Sequence, residues 1–388
     1  MIARQASNDI LQGAQYFPVV AILGPRQSGK TTLAQTLFKN HLYLSLEDPD
    51  IRTAALRDPR TFLLTQRTAH GMIIDEFQYA PELLSFIQTL VDKEQKPGHF
   101  ILTGSQNFLM NKAITQSLAG RVSIHTLLPL STQELEASNL LPAEIEPMLF
   151  QGCYPAVYSK GVPPTLLYKN YLQTYVERDV RELTQVGNLL TFQTFIALCA
   201  ARVGQVVNFT ALGNDCGVSD NTAQRWLTIL QASYIVFFLA PYHTNFGKRI
   251  TKNPKLYFYD PGLVCHLLNI KQEEVALHPN KGNIFESFII ADIMKWYYNH
   301  SKTPRAYFWR DQGNHEIDCV LDEGQSILPV EIKSGRTVSP RFFDGLQYWH
   351  KITGAAENKG VVIFGGNNHQ ATGHANVISW QSLYKILK

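Results

Sequence analysis

Gly24-Pro25-Arg26-Gln27-Ser28-Gly29-Lys30-Thr31 decides how the first third of this 388-residue sequence folds. The spacing G-x-x-x-x-G-K-[ST] is that of a phosphate-binding loop, which needs a strand before it and a helix after it. Both are legible: residues 19–23 are a continuous apolar run that reads as a buried strand, and 32–39 read as a helix. The glycines let the chain turn back so that backbone N–H groups converge on phosphate oxygens. The start of the next helix adds the positive end of its dipole. Lys30 is then expected at the β- and γ-phosphates of a nucleotide, and the Thr31 hydroxyl on Mg²⁺. Gly24, Pro25, Arg26, Gln27, Ser28, Gly29 and Thr32 complete the expected cradle.

Working outward, candidate strands lie at 42–46, 72–74 and 99–103, with helical patterns between them such as 81–92. This alternation predicts a parallel α/β sheet covered by helices. The strand at 72–74 runs into Asp75-Glu76, so two acids arrive at the carboxyl edge of the sheet, where ligands sit in such folds. Asp75 is the candidate for holding Mg²⁺ through its water shell, and Glu76 for orienting and polarising an attacking water. The run at 101–106 ends in Thr103-Gly104-Ser105-Gln106, which would bring Thr103, Ser105 or Gln106 near the γ-phosphate. Phosphoryl transfer also calls for a guanidinium. Arg121 is the first candidate, with Arg178 and Arg181 as others.

These residues carry a resemblance. GPRQSGKTTL at 24–33, IIDEFQYAPEL at 73–83, FILTGSQ at 100–106, SLAGR at 117–121, LLPLSTQEL at 127–135 and YVERDV at 175–180 resemble the AAA+ superfamily. More narrowly, they resemble a group of prokaryotic ATPases with an uncharacterised C-terminal region. The resemblance implies ATP as the nucleotide, since nothing here resembles a guanine-reading N-K-x-D element, and a small helical lid after the sheet.

Composition sets bounds. A formal net charge of +3 and a pI of about 8.4 are compatible with nucleic-acid contact but do not argue for it. The five cysteines, Cys153, Cys199, Cys216, Cys265 and Cys319, form no C-x-x-C pair, so neither a zinc site nor a disulfide framework is expected. A reducing compartment fits that usage. No secretory signal pattern opens the sequence, and the most apolar run, 234–242, is too short to span a bilayer. A soluble cytoplasmic protein without membrane contact is the expectation.

In the middle of the chain, 210–216, Gly217-Val218 and 219–231 read as helix–turn–helix, with Ser219 as N-cap. Ala223, Trp226, Leu227 and Leu230 fall on one face, leaving Asn221, Gln224, Arg225 and Thr228 exposed. The hairpin expected over 241–259 would be a wing, with Lys248, Arg249, Lys252 and Lys255 as a basic cluster for phosphates. A protein-contact module is the competing reading of the same elements.

Beyond residue 282 the pattern is α/β again, with a helix at 284–298 and strands at 306–309, 317–321, 328–332 and 360–364. Strand alternation puts Glu331 and Lys333 on one face, beside a strand that bears Asp318. Asp318 and Glu331 could hold Mg²⁺, a cation that takes oxygen ligands. Lys333 could orient or help deprotonate a water, and Glu286 could enter from the preceding helix. Arg310 and His315 lie close in sequence and could touch phosphates, with a solvated loop as the competing reading of both. Glu286, Asp318, Glu331 and Lys333 resemble the PD-(D/E)xK nuclease superfamily, although Ile317 stands where a proline is expected.

The fold expected is therefore α/β: an AAA+ P-loop ATPase core at 1–135, a helical lid at 136–184, a winged-helix-like domain at 185–275 and a restriction-endonuclease-like α/β domain at 276–388. The leading function is ATP binding and hydrolysis, with nucleotide state controlling a DNA-associated C-terminal half. The alternatives are an ATP-gated, metal-dependent nuclease and a nucleotide switch or scaffold that binds a protein partner. ATP and Mg²⁺ are the expected ligands. Double-stranded DNA and a protein are candidate partners, and oligomerisation is open.

Overall fold

A computed structural model describes residues 2–66, 68–105, 114, 116–175, 189–242, 253–324, 326–354, 360–367, 370–371 and 375–387. The chain divides into two compact units. One is Met1–Leu130 with Ala232–Tyr234 and Tyr297–Lys302; the other is Ser131–Gln231 with Ile235–Trp296 and Thr303–Lys388.

The first unit runs α1 (Ser7–Tyr16), β1 (Val19–Gly24), α2 (Lys30–Leu37), β2 (Leu42–Ser45), α3 (Pro49–Arg57), α4 (Pro59–Thr65), β3 (Met72–Asp75), α5 (Leu83–Glu94), β4 (Phe100–Ser105) and β5 (Val122–Thr126). Its sheet has the order β2-β3-β4-β1-β5, and every pairing is parallel. All six residues of β1 are buried. Alternate residues leave a strand on opposite faces. Val19, Ala21 and Leu23 pack with Met72, Ile74, Leu102 and the Ile87 of α5. Val20 and Ile22 pack on the other side with Ile73, Ile101, Ile10 of α1 and Leu33 of α2. A sheet covered on both faces needs such uninterrupted apolar strands, so the run at 19–23 reads correctly. Asp48 and Asp58 cap α3 and α4 by accepting from backbone N–H groups, each with proline at the next position.

Register fixes what meets at the carboxyl edge. Gly24 pairs with Ser105, Asp75 with Thr103, and Ser45 with Asp75. The phosphate loop, the acidic pair and the polar end of β4 therefore share one edge of the sheet.

The second unit begins with helices α6 (Thr132–Ala137), α7 (Ile145–Gln151), α8 (Pro155–Lys160), α9 (Pro164–Tyr175) and α10 (Leu189–Ala201). Arg178 and Arg181, beyond α9, lie outside the described residues. Next come α11 (Phe209–Cys216) and α12 (Asp220–Ala232), joined through Gly217 at a left-handed φ of 68°. Ser219 caps α12 by accepting from the Thr222 N–H at 3.2 Å. Ala223, Trp226, Leu227 and Leu230 are buried, while Asn221, Gln224, Arg225 and Thr228 are exposed. Trp226 meets Phe192 and Phe195 edge-on, each at 5.2 Å between ring centres. Strands β6 (Val236–Leu239) and β7 (Lys255–Phe258) pair antiparallel. Between them Lys248, Arg249 and Lys252 lie outside the described residues.

After α13 (Pro261–Leu267) and α14 (Lys281–Asn299) come β8 (Ala306–Arg310), β9 (Glu316–Asp322), β10 (Ile327–Lys333), α15 (Asp344–Thr353), β11 (Val361–Phe364), β12 (Gln370–Ala371) and β13 (Asn376–Ser379). They form a mixed sheet of order β12-β13-β11-β10-β9-β8. β9 runs antiparallel to both β8 and β10, and β10, β11 and β13 run parallel. No helix among the described residues is long and apolar enough to cross a membrane.

Candidate functional site

The loop after β1 is built for close backbone approach. Gly24 has φ +150°, and a Cβ there would meet the Leu127 carbonyl oxygen at 2.2 Å. Gly29 has φ +94°, and Gln27 is also left-handed, at φ 60°. Ser28 is buried and its hydroxyl donates to the Pro25 carbonyl at 3.0 Å. Pro25 is buried, Arg26 and Thr31 are half-buried, and Gln27 and Thr32 are exposed. The Lys30 ammonium donates to the carbonyls of Gly24 at 3.1 Å and Pro25 at 2.7 Å. Arg4, which sequence reasoning passed over, clamps the loop: its guanidinium donates to the carbonyls of Ser28 at 2.7 Å and Leu128 at 2.6 Å. No motif signals a residue so far from the loop in sequence.

Asp75 is the hub of the edge. The Thr31 hydroxyl lies 3.0 and 3.1 Å from its two carboxylate oxygens, Tyr43 donates at 2.7 Å, and Thr103 donates as well. Burial, and next the bond to Asp75, push the Tyr43 phenol up to about 12. Thr103, one of the three candidates for the γ-phosphate, thus bonds the acid. Glu76 is left-handed at φ 53°, a conformation that costs energy for a residue with a side chain and gathers at functional sites. The Gln78 amide donates to Glu76 and, at 3.0 Å, to Ser105. The hydroxyl and carboxylate of Thr31 and Asp75 are a hard oxygen donor set that suits Mg²⁺, and the loop geometry suits a phosphate chain. Gln106 lies outside the described residues.

Arg121 needs a correction. Its carbonyl accepts from the N–H of Val19, which starts β1, so it sits at the amino edge of the sheet. Gly24 ends that six-residue strand on the opposite edge. At about 3.3 Å per residue the separation is roughly 17 Å. Its guanidinium is taken by Asp92 and the Ala119 carbonyl. Arg121 does not reach the loop of its own chain.

A second cluster lies in the C-terminal sheet. Asp318 accepts from the Ile332 N–H at 2.7 Å and pairs with Lys333 at 3.0 Å; Lys333 also bonds Glu331. The sequence-derived trio is therefore together. The oxygen ligands close enough to share a cation belong to Glu286, Glu316 and Asp318, whose atoms lie within 4.8 Å of one another. Glu331, expected as a metal ligand, is not in that group. One of its carboxylate oxygens bonds Lys333, and the other is buried without a partner, against Gly345. Burial, then the nearby Asp318, push the Glu331 carboxyl well above its usual range. Glu316 replaces it, and the strand pattern E-x-D at 316–318 could have signalled this, since both side chains leave one face. Lys255, read as part of an exposed basic cluster, is instead 3% exposed. It bonds Glu286 at 2.9 Å and also bonds Glu316. Arg310 pairs with Glu316 at 3.6 Å. His315 pairs with Asp311 at 3.2 Å and stacks on Tyr348 with ring centres 3.7 Å apart.

Sheet order, loop and acidic strand define the first unit as a P-loop ATPase fold of the AAA type. Residues 16–136 match the model of an AAA domain. Residues 143–274 match a domain of unknown function (DUF8612), and 281–383 match another domain of unknown function (DUF4143). An uncharacterized protein of Mycobacterium tuberculosis is 29% identical over 343 residues, which are 87% of this chain and 74% of the relative. An uncharacterized protein of Methanocaldococcus jannaschii is 21% identical over 344 residues, 80% of this chain and 74% of the relative. Among solved structures, a Walker-type ATPase of Pyrococcus abyssi aligns at 14% identity over 69% of this chain and 96% of its own, with a TM-score of 0.43. The RuvB Holliday junction branch migration motor of Thermotoga maritima aligns at 15% identity over 60% of this chain and 87% of its own, with a TM-score of 0.29.

Proposed function

We propose that this chain binds and hydrolyses ATP with Mg²⁺ at the loop of residues 24–31, and that nucleotide state controls a DNA-associated C-terminal half. The observation that carries the reading is the contact of Thr31 with Asp75, which brings the loop hydroxyl and the strand acid onto one point. Lys30 exchanges the carbonyls of Gly24 and Pro25 for phosphate oxygens when nucleotide binds. Thr31 and Asp75 would hold Mg²⁺, which when bound would supply positive charge to the phosphate oxygens. Glu76 polarises the attacking water and is held in place by Gln78, while Tyr43 and Thr103 orient Asp75.

The DNA-associated half comprises the regions at 185–275 and 276–388, with 136–184 as the lid. Support comes from α12, whose Asn221, Gln224, Arg225 and Thr228 are all exposed. Such a surface binds mainly through phosphates, so affinity should fall with salt. The test is ATP hydrolysis with and without duplex DNA at low and moderate salt. Stimulation that fades with salt supports the DNA reading. Turnover indifferent to DNA in low salt removes it and leaves a protein partner.

A further inference from the structure

Two carboxylates at the C-terminal sheet, Glu286 of α14 and Glu316 of β9, are bonded by a lysine from outside the 281–383 region. Lys255 and Tyr257 alternate on β7, so both side chains leave one face toward Glu286. Lys255 Nζ lies 2.9 Å from Glu286 Oε1, and the Tyr257 hydroxyl lies 2.5 Å from the same oxygen. The ammonium also bonds Glu316 and sits 5.6 Å from the centre of the Phe308 ring. Two of the three carboxylates able to share a divalent ion are therefore bonded to one buried lysine. The third, Asp318, is bonded to Lys333. Arg310 reaches the outer oxygen of Glu316.

We propose that Lys255 is the resident cation of this cluster and keeps divalent ions out, so the C-terminal domain carries a self-filled site without metal-dependent nuclease activity. A compact ammonium supplies three donors and a single positive charge where a hard ion would sit. Burial strengthens the attraction of Glu286 and Glu316 for it and makes its loss costly. A free divalent ion would have to displace a tethered, hydrogen-bonded charge that is always present. The inference stands apart from the ATPase reading, because it concerns a nucleotide-free site in the other unit.

The test is Mn²⁺ binding to the full-length, nucleotide-free protein, read by calorimetry or water-proton relaxation. Wild type and Asp318→Asn should bind the same number of ions. Lys255→Met should bind one more per chain, and that ion should vanish in Lys255→Met/Asp318→Asn. If Lys255→Met fails to fold, Lys255→Gln keeps all three carboxylates and a hydrogen-bond donor beside them and should show the same extra ion. A wild-type ion that Asp318→Asn removes overturns the proposal. So does a folded Lys255→Met or Lys255→Gln protein that gains no ion.

Discussion

Replacing Lys30 by Met should do two separable things. Without nucleotide, the ammonium donates to the carbonyls of Gly24 and Pro25 at 3.1 and 2.7 Å from a buried position. Hydrogen bonds from a charged donor contribute about 1.5–3 kcal/mol each. Setting the cost of burying the ammonium against the pair leaves a net loss of about 2 kcal/mol. Unfolding entropy is about 2.1 cal/mol/K per residue, so for roughly 130 residues that loss lowers the melting temperature by about 7 °C. With nucleotide at about 100 times its dissociation constant, wild type gains about 2.7 kcal/mol, or roughly 10 °C. Lys30→Met should lose that gain at the same concentration. Scanning calorimetry with and without Mg-ADP reads both effects on the transition of the first unit. A variant that melts with wild type in the absence of nucleotide refutes the role given to the loop carbonyls. A variant that keeps the nucleotide shift refutes the phosphate assignment.

Gly24→Ala places a Cβ 2.2 Å from the Leu127 carbonyl at φ +150°, so the loop must shift; nucleotide-dependent melting should be lost, and an unaltered shift would count against the close fit. Glu146 supplies a pH dependence. Burial raises its carboxyl, but bonds from Arg336 and Lys281 outweigh this and bring it from 4.5 down to about 2. A depressed carboxylate stabilises above its unfolded value and loses that stability as pH falls through the folded value. The melting difference between wild type and Glu146→Gln should therefore shrink by roughly half or more between pH 7 and pH 3; a difference independent of pH would show that the ion pairs do not contribute.

Much of the first unit was legible because one physical rule governed it. The apolar runs at 19–23, 72–74 and 99–103 are buried on both faces and so announce themselves without alternation. β5 escaped because it pairs on one side only and mixes Val122 and Ile124 with Ser123 and His125. The phosphate loop and Asp75-Glu76 were readable as motifs, whereas Arg4, Tyr43 and Gln78 reach the site through tertiary contacts that no local spacing encodes. The C-terminal cluster shows the same limit. Asp318, Glu331 and Lys333 stand together as alternation required, but Lys255 looked like one of several surface lysines. Only the pairing of β7 with its surroundings reveals it as buried among acids, and only the positions of Glu286 and Glu316 explain why a lysine can be there.

The central claim rests on the edge formed by the loop and by Asp75-Glu76. The measurement that tests it most directly is Mg²⁺-dependent ATP hydrolysis by the full-length protein beside Glu76→Gln and Lys30→Met. The account predicts turnover by wild type, background turnover with retained ATP in Glu76→Gln, and neither turnover nor binding in Lys30→Met. Turnover in Glu76→Gln equal to wild type, or no wild-type turnover above Lys30→Met, would contradict it.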